Sequence, residues 1–237
     1  LAGQAIVGNL DARNYDSVSY KLVGATITCD QNLSYGSLPL ASTPDFGADG
    51  NYKVCVRLTD IAGNPPAFGQ GPELTLETAA PVFNAVSLSN AAADSYLNLA
   101  ERALNTEIVA APQGSSFDSA AYKVVGASSS CDGSLTYGVA PKANTTDITS
   151  DGAYKVCIKL TDLAQNAPAY GASSPFTVKT TQPAFTAASL SADVADGYLN
   201  AAERSSTSAL VNAATGSNFD TASYSLAGST QVCDQTL

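Results

Sequence analysis

A repeat of 102 residues constrains this chain more than any other feature of its sequence. Cys29 returns as Cys131 and again as Cys233, each time followed by Asp, and each step is 102 positions. Aligned without gaps, residues 1–80 and 103–182 are identical at 34 of 80 positions. Self-similarity at a fixed period is typical of tandem arrays whose units contact their neighbours, so the sequence predicts a row of similar domains.

Two Pro-containing junctions set the frame of the repeat. The segments 78–83 and 180–185 are small and polar, contain Pro, and precede a fresh apolar pattern. They predict residues 1–80 as a repeat that lacks its first strand, 81–182 as a complete repeat, and 183–237 as the first half of a third. We expect the natural protein to continue in both directions, because both ends fall inside a repeat.

Each repeat is predicted to be all-β. Tyr154, Val156, Ile158 and Leu160 alternate with polar residues, which is the period-2 pattern of a half-buried strand. Further strands are predicted at 107–110, 122–125 and 175–178. About seven short strands in about 100 residues, separated by turn residues, favour immunoglobulin-like β-sandwiches in tandem, with about 102 residues per repeat.

The Asp-Gly-x-Tyr segments that open a late strand in both repeats fit a tyrosine corner, in which the hydroxyl bonds back to the backbone. The cysteine three residues later is turned away from the core by period 2. We expect its partner at the end of the strand that begins near Tyr20, and likewise one period on. A twice-repeated spacing of 26 residues predicts two outward-facing disulfides, Cys29–Cys55 and Cys131–Cys157.

Free, reduced thiols are the alternative reading of the same cysteines. The partner of Cys233 would lie outside the chain. Bridged cysteines imply an oxidising compartment, so the predicted location is extracellular or at the cell surface.

Composition excludes several classes of function. The net charge is −10, and the chain contains no His, Met or Trp. A strongly acidic chain does not hold a phosphate backbone, so we expect no nucleic-acid partner. No apolar run reaches the roughly 20 residues of a membrane helix, so we expect no membrane insertion of this segment. Without His to activate a Ser or Cys, an enzyme is not expected.

The motif with the most potential ligand groups is Asp-x-Tyr-Leu-Asn-x-Ala-Glu, which occurs twice. Carboxylates and an amide oxygen so close in sequence are hard donors suited to a structural Ca²⁺. The predicted ligands are Asp94, Asn98 and Glu101, then Asp196, Asn200 and Glu203, with Asp151 as a further ligand from the same end of the sandwich. Asn98 with Glu101 also fits a capping box, and ordinary turn chemistry also accounts for Asp151 and Asp162.

The ordered set of motifs resembles the bacterial immunoglobulin-like repeats of giant secreted surface adhesins, including biofilm-associated and RTX-type proteins. The motifs are Pro-x-Phe, Asp-(Gly/Ser)-Tyr-Leu-Asn-x-Ala-Glu, Asp-Gly-x-Tyr-x-Val, Leu-Thr-Asp-x-Ala-(Gly/Gln)-Asn and Phe-Thr-Val. The resemblance implies tandem sandwiches that form a long extender, often stiffened by calcium between domains. This chain departs from it in having cysteines.

Two functions follow from the sequence. The first is a structural extender or fibre segment of a long bacterial surface filament or adhesin. Its partners would be neighbouring repeats of the same chain, with lateral self-association between chains as a further expectation. The alternative is a glycan- or protein-binding module that uses the recurrent aromatic residues Tyr35, Phe68, Tyr137 and Tyr170, for which core packing is the competing explanation.

Overall fold

The structure, a computed structural model, describes residues 4–6, 8 and 12–233, and this part of the chain is rich in β-strands. The strands are β1 (Ser17–Gly24), β2 (Gly50–Thr59), β3 (Ala67–Leu76), β4 (Val82–Ala85), β5 (Tyr96–Leu97), β6 (Gln113–Ser115), β7 (Ser119–Gly126), β8 (Gly152–Thr161), β9 (Ala169–Ala172), β10 (Phe176–Val178), β11 (Ala184–Ala187) and β12 (Thr215–Ser217). One short α-helix, α1, spans Leu99–Arg102, and 3₁₀ turns lie at Asn90–Ala92, Ala192–Val194 and Glu203–Ser205. None of the helices described has the length and apolar character to span a membrane.

The strands form four sheets. β1, β2 and β3 make an antiparallel sheet in that order. In the next sheet β8 pairs with β7 on one side and with β9 and β10 on the other, while β5 runs parallel to β10. Two smaller sheets pair β4 with β6 and β11 with β12. Seven of these strands lie between residues 82 and 178.

The predicted alternation along β8 is present. Val156, Ile158 and Leu160 are fully buried in an apolar core, to which β10 adds Phe176. The same core includes apolar side chains from segments flanking β4 and β6, among them Ile108. Complete burial of an aliphatic side chain stabilises a fold by about 1.5–3 kcal/mol, so this contact holds the larger and the smaller sheet together.

Residues one period apart occupy equivalent positions in the structure. Lys21 pairs with Cys55 across β1 and β2, and Lys123 pairs with Cys157 across β7 and β8. The tyrosine corner is also present twice. The Tyr52 hydroxyl donates to the Ala48 carbonyl at 2.7 Å, and Tyr154 donates to Ser150 at 2.9 Å.

The strand predicted at 107–110 is wrong. This segment makes only isolated bridges, Glu107 to Lys142 and Val109 to Leu88. Ile108 and Val109 are buried nonetheless. The apolar pattern therefore indicated a segment of the core, although this segment does not form a continuous ladder of strand hydrogen bonds.

The last strand of the second repeat is interrupted between β9 and β10. Ser173 lies in the gap, where its buried hydroxyl accepts a hydrogen bond from the Val156 backbone N–H at 3.0 Å. Pro175 follows and has no N–H to donate, so it cannot continue a ladder. The Ser173 side chain therefore supplies the bond that the strand itself does not.

Two disulfides are present, Cys29–Cys55 and Cys131–Cys157, which are the predicted pairs. Cys157 lies on the face of β8 away from the apolar core, as predicted, but neither Cys55 nor Cys157 has any solvent exposure. β1 also ends at Gly24, so Cys29 lies in the following loop rather than on the strand. Cys233 is exposed and unpaired among the described residues.

The long loop between β7 and β8, residues 127–151, explains this burial. It is fastened to the face of the sheet opposite the core by the disulfide, by an ion pair of Lys123 with Asp147 at 2.5 Å, and by contact of the Tyr137 and Tyr170 rings at 5.9 Å. Gly138 also pairs with Tyr122 through two 2.8 Å backbone bonds. A cysteine that faces away from the core is therefore buried under the loop.

Removal of the second disulfide tests how much this loop depends on it. In the Cys131→Ala/Cys157→Ala variant the free energy of unfolding is expected to fall by about 3 kcal/mol, because the bridge closes a loop of 26 residues. Urea denaturation followed by circular dichroism measures the change. The control is Cys233→Ala, which should unfold at the wild-type midpoint; an unchanged midpoint in the double variant would contradict this account.

Candidate functional site

The predicted calcium motif folds as a turn followed by a capped helix. Asp94 Oδ1 accepts a hydrogen bond from the Tyr96 backbone N–H at 2.9 Å. Asn98 Oδ1 then accepts from the N–H groups of Ala100 and Glu101, while Glu101 Oε2 accepts from the Asn98 N–H. This is a complete capping box at the start of α1.

Between the acids, Leu97 contributes a side chain to the core of the repeat. Tyr96 and Leu97 form β5 and pair in parallel with β10, and the Leu97 side chain is fully buried. The Asp94 turn and the Asn98 cap therefore stand directly before and after a two-residue core strand. Their spacing is explained by the need to start and stop that strand.

Arg102, at the end of the motif, has a role that the sequence analysis missed. Its guanidinium donates to the Ala143 carbonyl, to the Thr145 carbonyl at 3.3 Å and to the Ile148 carbonyl at 3.1 Å. It thereby holds the end of the long loop that leads to Asp151. The sequence did hint at a role for this arginine, because Glu101-Arg102 recurs as Glu203-Arg204. The recurrence does not show which carbonyls the arginine reaches.

In the third repeat, the copy of the motif forms the same local hydrogen bonds, but its leucine is not buried. Asp196 accepts from the Tyr198 N–H, and Asn200 with Glu203 repeats the reciprocal cap at 2.8–3.0 Å. Leu199, however, is 49% exposed, whereas its counterpart Leu97 is 0% exposed. The turn chemistry is therefore encoded locally, and burial needs a partner strand such as β10.

Local hydrogen bonds occupy part of the oxygen set predicted to bind calcium. One oxygen each of Asp94 and Glu101 accepts a backbone hydrogen bond and Asn98 Oδ1 accepts two, so Asp94 Oδ2 and Glu101 Oε1 are the oxygens without a hydrogen bond in the motif. Across residues 4–6, 8 and 12–233, no three His, Cys, Asp or Glu side chains are grouped as in a metal site. Calcium binding at this motif stays a prediction.

Asp151 lies at the predicted end of the repeat, but it binds the linker. Its Oδ1 accepts from the N–H and hydroxyl of Thr180, and its Oδ2 accepts from the N–H and hydroxyl of Thr181 at 2.6–3.1 Å. A cleft of about 240 Å³ lined by Asp151, Leu99 and Arg102 places α1 at the same end. Both carboxylate oxygens of Asp151 are engaged by threonines 29 and 30 residues away.

The first repeat carries the same arrangement, which we call the linker clamp: an aspartate before β2 or β8 bound to residues 78–79 or 180–181. Asp49 accepts from the Thr78 N–H at 2.9 Å, from the Thr78 hydroxyl at 2.8 Å and from the Ala79 N–H at 3.3 Å. Hydrogen bonds from threonine side chain and backbone lower the pKa of both carboxyls, that of Asp151 well below its usual range.

The opposite end of the second repeat meets the first repeat. Asp162 is buried and accepts two 2.9 Å bonds from Asn166, one from its backbone N–H and one from its side-chain amide. That amide also donates to the Glu77 carbonyl at 3.1 Å. Asp162 therefore lies at the end of the second repeat that contacts residue 77 of the first.

The aromatic residues considered for ligand binding are half-buried and make internal contacts. Tyr35 lies 5.7 Å from Phe68 between ring centroids, and Tyr35 and Tyr137 donate their hydroxyls to the carbonyls of Asp30 and Asp132 at 3.0 Å. They pack the long loops onto the sheets.

Beside each loop lies a cleft of about 480 Å³, at equivalent positions in the two repeats. The Lys21–Asp45 ion pair lines one cleft, and the Lys123–Asp147 ion pair lines the other.

No protein-family model matches this chain, and no curated protein matches it. What the chain does therefore has to be inferred from its own geometry.

Arg102 offers a direct test of how the motif supports the loop. Arg102→Ala is expected to lower the free energy of unfolding by about 1–3 kcal/mol, because it leaves three loop carbonyls without a charged donor. Calorimetry of the full chain measures the loss. Arg204→Ala is the matched control and should leave the melting temperature unchanged, since Arg204 is exposed; equal effects of the two variants would rule out this role.

The linker clamp predicts a specific titration. The folded-state pKa of Asp151 is depressed, so the clamp stabilises the fold above the ordinary value of 3.8 and is lost as the pH falls through the folded value. The carboxyl carbon resonance of Asp151 should therefore titrate below pH 3.8, and Thr180→Ala/Thr181→Ala should raise the midpoint. A midpoint at or above 3.8 in the wild-type chain would show that the clamp does not form in solution.

Proposed function

We propose that this chain is a structural extender segment of a long bacterial cell-surface filament or adhesin, built from tandem immunoglobulin-like β-sandwiches. The partners of each repeat are its neighbours in the same chain. The proposed location is extracellular. The two disulfides are compatible with it, and so is the finding that no helix among the described residues could span a membrane.

The observation that carries the proposal is the linker clamp, which occurs at both predicted junctions. A flexible tether would leave residues 78–79 and 180–181 bonded to water. Here the first residues of each linker are bonded to an aspartate of the repeat that they leave. A clamp of this kind restricts the direction in which the next repeat departs, and a stiff spacer needs this restriction at every joint.

The arrangement of the second repeat supports the sandwich interpretation. Several short strands in about 100 residues, a tyrosine corner before β8 and a core shared by two sheets are typical of immunoglobulin-like domains. The smaller-sheet pairing of β4 with β6 returns one period later as β11 with β12.

The alternative function, binding of a glycan or protein, is favoured by one observation. The two 480 Å³ clefts recur at the same place and keep their Lys, Asp and Tyr residues. In both clefts, however, the lysine and aspartate bind each other, which leaves fewer polar groups for a ligand. The extender is therefore the function that the geometry supports best.

The clamp can be removed at both joints. Asp49→Ala/Asp151→Ala should make the full chain more compact on average in small-angle X-ray scattering, with a smaller maximum dimension, because each linker loses its hydrogen bonds and gains freedom. The control is Asp30→Ala/Asp132→Ala, which removes the same charge from turns that bond only locally. If the two double variants scatter alike, the clamp does not set the shape.

Calcium is a separate part of the proposal, at Asp94, Glu101 and their copies Asp196 and Glu203. At calcium about 100 times Kd, one site would stabilise the fold by about 2.7 kcal/mol. Melting of the full chain in millimolar CaCl₂ and in EDTA measures this. An unchanged melting temperature would leave the motif with only its capping role.

A further inference from the structure

The two linkers differ at one charged position, immediately before the clamped threonine. Glu77 precedes Thr78 in the first linker, and Lys179 precedes Thr180 in the second. The partner position is the same at both joints, since Asp118 and Asp220 are one period apart. We infer that this position sets the sign of the electrostatic interaction at each joint, attractive at the second and repulsive at the first.

At the second joint the interaction is a direct ion pair. Lys179 Nζ lies 2.7 Å from Asp220 Oδ2. Lys179 belongs to the second repeat and Asp220 to the third, so this contact spans the linker. The Asp220 side chain is 85% exposed, so the pair is open to water and its strength depends on salt.

At the first joint a carboxylate stands where the ammonium stands in the second. Hydrogen bonds place Glu77 among aspartates: Asn166 joins its carbonyl to Asp162, and Asp49 binds the next residue, Thr78. Asp118, directly before β7, adds a third negative charge. Partial desolvation, and then the negative charges of these three aspartates, raise the pKa of Glu77. Glu77 is nevertheless held in place, because Asn166 donates to its carbonyl.

The three aspartates are fixed by hydrogen bonds, whereas the Glu77 carboxylate makes none among the described residues. Asp49 binds Thr78, Asp118 binds the Leu163 N–H at 2.7 Å, and Asp162 binds Asn166. Rotation of the Glu77 side chain, or separation of the two repeats, is therefore the way in which the repulsion is relieved.

Because the electrostatic interactions at the two joints have opposite signs, we expect the joints to respond in opposite ways to added salt. Added salt screens both joints, so it relieves repulsion at the first and weakens attraction at the second. An extender of this kind would carry joints of different stiffness along its length, an inference that rests on the proposed function.

Charge exchange at each joint tests the inference in the full chain. Hydrogen exchange is measured at the clamped amides of Thr78 and Ala79 and of Thr180 and Thr181. Glu77→Lys should slow exchange at the first pair by roughly two- to five-fold, and Lys179→Glu should accelerate it at the second by a similar factor. Raising NaCl from about 20 mM to about 500 mM should slow exchange at the wild-type first joint and accelerate it at the second.

Two further variants separate charge from unrelated effects. Glu77→Gln should give an intermediate result, and Asp193→Lys, on an exposed 3₁₀ turn of the third repeat, should leave both joints unchanged. If Glu77→Lys leaves exchange at Thr78 unchanged, or if both joints respond to salt in the same direction, the inference is wrong. These local rates do not depend on the chain being rod-like, so failure of the extender proposal in scattering would be a distinct result.

Discussion

The strand β8 carries at its two ends both of the contacts on which a stiff array would depend, and β2 carries the equivalent of one of them. Asp151 comes directly before β8 and Asp162 directly after it, and the same holds for Asp49, Asp60 and β2. A ten-residue strand is about 33 Å long, so the two aspartates stand at opposite ends of the repeat. One binds the linker that leaves the repeat, while Asp162 holds the asparagine that meets the repeat before it.

That strand is rigid because both of its faces are covered. Even-numbered side chains from Val156 to Leu160 enter the apolar core, and Cys157 on the other face lies under the loop fastened by the disulfide. Arg102 holds the end of the same loop, four to nine residues before β8 begins. The linker clamp at Asp151 therefore follows a loop that is held by contacts outside the linker.

Much of this could be predicted from sequence, because it is local or repeated. The alternation of β8, the tyrosine corners and the capping box follow from residues within about five positions of one another, and the disulfide pairs follow from a spacing that occurs twice. The burial of Cys55 and Cys157 could not be predicted, because period 2 shows which face a residue occupies but not whether a loop covers that face.

The clamp was missed for a related reason: Asp151 and Thr180 are 29 residues apart, with no sequence pattern to connect them. The motif at Asp94 shows the converse. Its chemistry is local, and its copy at Asp196 forms the same bonds even where Leu199 stays exposed.

In an extender, consecutive repeats would keep a fixed relative orientation. Backbone ¹⁵N relaxation of the full chain measures this, because it gives the rotational diffusion of each repeat separately. We expect a single anisotropic diffusion tensor to fit the amides of β1 to β3 together with those of β7 to β10. Two independent tensors, each with the correlation time of a domain of about 100 residues, would contradict the extender proposal.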